Sequence, residues 1–160
     1  MPTSFAVERT LGRLGKWLRL MGFDTLSEID YPRGTFMQRI GSERTFLTRT
    51  HQLKRGHGAL KTIFIQSDHG RDQVVELIRK AAIRLEDLRP FSRCIICNDP
   101  IVFVSKDDVQ RLVPDYVWDT QTRFRQCPKC GRVYWKGSHT ERGLKRIIEI
   151  FNELSLKVSS

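Results

Sequence analysis

No stretch of this chain is apolar for more than a few residues, so nothing in it reads as a transmembrane helix. The start, Met1-Pro2-Thr3-Ser4, has no basic segment leading into an apolar one, so a secretory signal is not expected. An organellar presequence lost on maturation stays open. There is no low-complexity tract, and no internal repeat apart from one pair of cysteine motifs. Acidic residues are in deficit, 18 against 28 Lys and Arg, for a formal charge of +10. What is present is ordinary for a folded protein: 160 residues, 39% of them hydrophobic, enough for one domain with a small satellite and too apolar for wholesale disorder. The positive balance is not a tail. Residues 1–90 hold 16 basic and 10 acidic side chains, net +6, and residues 91–160 hold 12 and 8, net +4. A surface of that sign favours polyanions, RNA above all, and argues for no membrane partner.

Cysteine is equally sparse. The four residues fall in two pairs, Cys94-Ile95-Ile96-Cys97 and Cys127-Pro128-Lys129-Cys130, with 29 residues between them. A Cys-x-x-Cys turn aims two thiolates at one centre, and two such turns complete a tetrahedral structural zinc site. Asn98 and Gly131 follow the pairs, and both tolerate the positive φ that lets a chain turn back. Two disulfides would need an oxidising compartment. A thioredoxin-like redox pair needs one motif, and here there are two with no cysteine left over. An iron–sulfur cluster remains open, but separated, turn-borne pairs fit a zinc ribbon better. With four thiolates filling the tetrahedron, the metal would be structural, and the cysteines put the chain in the cytoplasm or another reducing compartment.

Hydrophobic periodicity supplies the rest of the framework. Phe5-Ala6-Val7 reads as a buried strand, and Leu11, Leu14, Leu18 and Met21 form a helical core stripe ended by Gly22. Arg9, Arg13 and Lys16 make a basic ridge on another face of that helix, and Trp17 reads as core. Phe23–Leu26, Thr45–Thr48 and Thr62–Ile65 read as strands. Tyr31-Pro32-Arg33-Gly34 is a turn, and Thr35–Ile40 a short helix ended by Gly41. His51 to Gly58, with Lys54, Arg55 and His57, reads as an exposed basic loop. Ser67 or Asp68 would cap a helix from Asp72 to Ile83 with Val74, Val75, Leu77, Ile78 and Ala81 on its apolar face. Strands alternating with helices indicate an α/β layer with a largely parallel sheet. Beyond Pro90, Ile101–Val104 and Arg132–Trp135 read as ribbon strands flanking a short helical piece, Asp107–Val113. Thr140 would cap a last helix with a stripe of Leu144, Ile147, Ile148, Phe151 and Leu154. The expected division is 1–90 for the α/β domain, 91–139 for the zinc ribbon and 140–160 for the C-terminal helix and tail.

Four stretches, FAVERTLGRLGKWLRLMGFDT at 5–25, RTFLTRT at 44–50, RCIICNDPI at 93–101 and CPKCGRVYWKGSH at 127–139, resemble the PIN-like ribonuclease domain with a C-terminal zinc ribbon, the Mut-seven C-terminal family. The resemblance runs in order over nearly the whole chain. It implies a Rossmann-like PIN layer, a ribbon, and endoribonuclease ancestry. Such a nuclease holds Mg²⁺ or Mn²⁺ on carboxylates at the C-terminal edge of its sheet, where the ions activate water and neutralise phosphate charge. The family pattern has Asp after the first strand, where this chain has Glu8. It has an acidic pair before the second helix, where this chain has Pro32-Arg33-Gly34. It has Asp closing the LTRD strand, where this chain has Thr50. Only the first change keeps the charge. Asp24, Asp30 and Asp68 read as turn or cap residues, and His51 and His57 as exposed loop histidines.

The preferred reading is therefore an RNA-binding protein on a degenerate PIN-like ribonuclease fold. It would act on structured RNA or a ribonucleoprotein such as the ribosome, with its metal-dependent chemistry lost or weakened. Phosphate contacts are assigned to Arg9, Arg13, Lys16, Arg49, Lys54 and Arg55, extended by Arg123, Arg125, Lys129, Arg132 and Lys136 on the ribbon. Zinc would sit on Cys94, Cys97, Cys127 and Cys130. One alternative is an active endoribonuclease using Glu8 with Mg²⁺ or Mn²⁺. Another is a zinc-ribbon module that docks a protein partner through the Leu144–Leu154 helix.

Overall fold

The computed structural model describes residues 4–54, 60–137 and 139–158. The chain divides into two compact units, one of residues up to Arg19 with Phe23–Leu88, the other of Leu20–Gly22 with Arg89 onward. No helix among the described residues is long and apolar enough to cross a membrane.

In the first unit β1 (Ser4–Val7), β2 (Asp24–Ser27), β3 (Thr45–Thr48) and β4 (Thr62–Phe64) form one sheet in the order β2-β1-β3-β4, with every pair parallel. Phe5, Ala6 and Val7 are all fully buried, so both faces of β1 are covered, as parallel sheets require. Helix α1 (Gly12–Met21) follows a 3₁₀ turn at Arg9–Leu11, and its stripe of Leu11, Leu14, Leu18 and Met21 is completely buried. Arg9, Arg13 and Lys16 are exposed, and Trp17 is half-buried. Strand β2 begins one residue later than the sequence suggests. The Phe23 N–H is still bonded to the Leu18 carbonyl at 3.0 Å, and its ring stands edge-on to Phe5.

Three local expectations change. The segment at His51–Lys54, read as loop, forms a single helical turn, α2; Arg55 and His57 lie outside the described residues. Helix α3 runs Gly70–Lys80, and Ser67 does not cap it. The Ser67 hydroxyl instead donates to Glu76 at 2.7 Å, and the N-cap falls on His69 without a side-chain bond. Val74, Leu77, Ile78 and Ala81 are buried as expected, whereas Thr35–Ile40 shrinks to one 3₁₀ turn, Met37–Arg39. Phe36 and Ile40 flank that turn and pack with Ala6 and Phe46.

The second unit holds an antiparallel sheet, β5 (Val102–Val104), β6 (Phe124–Gln126) and β7 (Val133–Trp135), in that order. Strand β6 and helix α4 (Asp115–Thr120) were not read from the sequence. Both are short, and their apolar residues count only in assembly: Val109, Val113, Val117 and Phe124 bury one another, with Trp118 and Trp135 packed around them. Helix α5 (His139–Val158) has Ile147, Ile150 and Phe151 buried, while Ile148 is 37% exposed, so Ile150 takes the place expected for Ile148. Thr140 lies inside its first turn and is not a cap.

Gly22 ends α1 at φ +99°, and the Met21 carbonyl accepts the Arg89 N–H at 2.8 Å. A Cβ on Gly22 would strike the Arg89 backbone carbonyl, whereas one on Gly34, also at positive φ, would meet open space. Gly22→Ala should cost at least about 2 kcal/mol, combining left-handed strain with overpacking. Gly34→Ala should carry the strain alone, and urea denaturation of the two variants measures the difference.

Candidate functional site

Glu8 follows β1 directly, and Arg49-Thr50 follow β3. The chain leaves β1 toward β2 on one side, while β3 lies on the other, so the C-terminal ends of β1 and β3 flank the point where strand order reverses. Open α/β sheets bind ligands there. The Glu8 N–H donates to the Leu47 carbonyl at 3.2 Å, which brings its side chain to the end of β3.

Four donors converge on that side chain. Oε1 accepts the Thr10 hydroxyl at 2.5 Å and the Arg49 backbone N–H at 2.7 Å. Oε2 accepts the Thr48 hydroxyl at 2.6 Å and the Thr50 hydroxyl at 3.0 Å. An ionised carboxylate has about four acceptor positions, so Glu8 is saturated. It is also only 6% exposed. Burial works against its ionisation, but the Thr10 and Thr48 hydroxyls, the Arg49 N–H and the Thr50 hydroxyl together outweigh that, and hold the carboxyl below its ordinary value. Thr50, just past β3, acts here as a donor to Glu8. A hard divalent ion would have to displace these donors to reach an oxygen.

Other acids of this unit are engaged as well. Asp24 lies in β2, not in a turn, and takes a bidentate pair from Arg44 at 2.9 Å on each oxygen. Asp30 takes Arg19 at 2.6 Å, and Asp68 takes the Arg49 side chain. Arg49 therefore gives its backbone N–H to Glu8 and its guanidinium to Asp68. A small cleft of about 190 Å³ is lined by Arg49, His51, Phe64, Ile65 and Gln66, with the His51 and Phe64 rings 4.8 Å apart. Arg123, Lys129, Arg132 and Lys136 are exposed on the second unit, Arg125 is half-buried, and Lys129 pairs with Asp99 at 3.3 Å. The placement of Lys54's side chain and of Arg55 lies outside the described residues. Residue order alone does not signal the ring around Glu8, because Thr10, Thr48 and Thr50 come together only when β1 and β3 pair.

The cysteines form the second constellation. All four Sγ atoms lie within 4.8 Å of one another, and Cys94 and Cys130 are 3.7 Å apart. Zn–S bonds of about 2.3 Å in a tetrahedron put sulfurs about 3.8 Å apart, so the donor set and its spacing fit a zinc ion. The two turns are built alike. Asn98 N–H bonds to the Cys94 carbonyl and Gly131 N–H to the Cys127 carbonyl, both at 2.9 Å, with Asn98 at φ +69° and Gly131 at +74°. Tyr134, whose role the sequence did not signal, donates its hydroxyl to Cys94 Sγ at 3.1 Å. Burial opposes ionisation of Cys94, but the Tyr134 hydroxyl and the Cys97 and Ile96 amides lower its pKa to about 7. Burial and the neighbouring sulfurs push Cys97 up to about 12. Four thiols this close resist joint ionisation, and a divalent cation relieves that repulsion.

A parallel α/β layer with its switch point at Glu8, together with a four-cysteine ribbon and a C-terminal helix, defines a PIN-like domain with an appended module whose cysteines could hold a metal ion. Residues 3–147 match the family described as the Mut7-C RNAse domain, and the chain belongs to that family. No curated protein and no solved structure shows a significant match. Family membership ties the chain to RNA-related, nuclease-like proteins.

Glu8→Gln should lower stability at pH 7 by on the order of 2 kcal/mol, because it loses charge-assisted bonds and sets an amide against donors. The folded pKa lies below the ordinary value of 4.5. The stabilisation is thus complete above that value and is lost as pH falls through the folded one, so the gap between wild type and variant should close in acid. Thermal melts from pH 7 to pH 3 check both statements. At the other constellation, a strong chelator should release one metal ion per chain and lower the melting temperature of the second unit, followed by atomic absorption and tryptophan fluorescence of Trp118 and Trp135.

Proposed function

We propose that this protein binds RNA on a ribonuclease fold whose metal-dependent chemistry has been lost or weakened, and that it acts on structured RNA or on a ribonucleoprotein such as the ribosome. The observation that carries the reading is the saturation of Glu8: its carboxylate oxygens already accept Thr10, Thr48, Thr50 and the Arg49 amide. A catalytic carboxylate must offer lone pairs to an ion. Glu8 offers them to its own chain. The arginine partners of Asp24, Asp30 and Asp68 support the same view, since recruiting any of these acids would strand a cation.

The fold would then present charge in place of chemistry. Arg9, Arg13 and Lys16 are exposed along α1 and the turn before it, spaced to follow a phosphate backbone, and they are the leading contacts. Arg123, Lys129, Arg132 and Lys136 would add to them from the ribbon, with Lys54 and Arg55 as further contacts from the first unit. Arg49 would contribute less, because Asp68 holds it. With contacts of this kind, RNA shape sets specificity more than base identity does. In this reading Cys94, Cys97, Cys127 and Cys130 hold a structural zinc, which keeps the ribbon's cations in place and suits a reducing compartment.

Filter binding of a labelled stem-loop RNA across a salt series tests the reading, with a parallel cleavage assay in Mg²⁺ and in Mn²⁺. Affinity should fall steeply with salt, and Arg13→Ala combined with Lys16→Ala should reduce the slope by about 2. The RNA should stay intact. Metal-dependent cleavage abolished by Glu8→Gln would replace this reading with a working endoribonuclease.

A further inference from the structure

The three strands of the ribbon sheet alternate faces, and the two faces differ in kind. One side, with Val104, Phe124, Val133 and Trp135, closes over Val109, Val113 and Val117 as a core. The other side carries a single cross-strand row. Phe103 on β5 stands opposite Arg125 on β6, and Arg125 stands opposite Tyr134 on β7. Phe103 is 59% exposed on this side, although it is the largest apolar side chain in β5. Two guanidinium groups attend its ring, Arg125 at 4.2 Å and Arg123 at 5.4 Å from the centroid. Arg125, in the middle of the row, is held by the Phe91 carbonyl, and Tyr134, at its far end, by its hydroxyl bond to Cys94. The row borders a groove of about 330 Å³ that also takes in Lys136 and Trp135. One carboxylate, Glu141, also lines it and accepts the Gly137 N–H.

We infer that this groove is a stacking site for an unpaired nucleotide of an RNA strand, with Phe103 as the base platform and Arg123, Arg125 and Lys136 receiving the flanking phosphates. The inference rests on the RNA-binding reading above and narrows it to nucleotides outside helices. An exposed aromatic ring ringed by cations suits a ligand that is flat and apolar in one part and anionic in the next. A nucleotide has both parts, whereas a run of acidic residues has only the second. A paired base is already stacked within its helix and cannot lie on the ring, so loops, bulges and ends are the elements selected.

The test uses the full chain as purified, with fluorescence anisotropy of a labelled single-stranded oligoribonucleotide. Its counterparts are a duplex of the same sequence, an abasic oligomer of equal charge, and polyglutamate as competitor. Phe103→Ala should weaken single-strand binding about 5- to 100-fold with an unchanged salt slope, while Phe103→Tyr retains it. The abasic oligomer should lose affinity to a similar degree. Because Phe103 is largely exposed, the alanine variant should keep the wild-type melting temperature, which circular dichroism verifies.

Equal binding of base-bearing and abasic strands, or an unaffected Phe103→Ala variant, overturns the stacking site and leaves salt-dependent RNA binding standing. A duplex bound as tightly as the single strand overturns it too. Displacement by polyglutamate as effective per charge as RNA assigns the groove to acidic peptides instead. Failure to bind any of the RNAs removes both this inference and the reading beneath it.

Discussion

A carboxylate taken almost wholly out of water survives as an anion only if its oxygens are met by donors, and at Glu8 those donors come from segments far apart in the chain. Thr10 belongs to the turn that starts α1, Thr48 closes β3, and Arg49 and Thr50 begin the run into α2. One charge therefore organises the C-terminal edge of the sheet. It ties β1 to β3 beyond their ladder, and it sets the turn that carries Arg9 into the helix bearing Arg13 and Lys16. The same hydrogen bonds that fold this edge also consume the lone pairs that metal chemistry would need.

The remaining acids near the sheet follow a similar logic. Asp24, Asp30 and Asp68 each neutralise an arginine, two of them beside poorly exposed guanidinium groups. A buried or half-buried cation without a partner would be costly, so these pairs are structural. Each pair cancels one charge of either sign, so the net excess of +10 is carried by the other lysines and arginines of the chain.

The two units solve the problem of stability differently. The first covers both faces of a four-stranded parallel sheet and has the apolar residues to do so. The second has three strands of three residues each, too little for an independent sheet. Its four sulfurs offer what the apolar residues lack, a point that several segments can share. Tyr134 extends that point into the sheet, because it bonds Cys94 and also ends the row that begins at Phe103. The stability of the ribbon and the shape of its open face are thus coupled through one side chain.

Much of the scaffold was legible from residue order. The α1 stripe, its glycine stop, β3 at its full extent and the two cysteine turns are local patterns, in which period, φ preference or ligand spacing is written into neighbouring residues. Helix α4, strand β6 and the rotated face of α5 were not, because those segments are too short or too mixed to declare which side is buried until a partner covers it. The site divided in the same way. From the amino-acid order alone came the four-thiol set and the excess of positive charge. Only the tertiary structure decided that Glu8 is enclosed by three threonines and an amide, and that Asp24, Asp30 and Asp68 pair with arginines. The reason is that, Thr10 apart, these hydrogen bonds and ion pairs join residues from 11 to 42 positions apart, and their geometry exists only once the chain has folded.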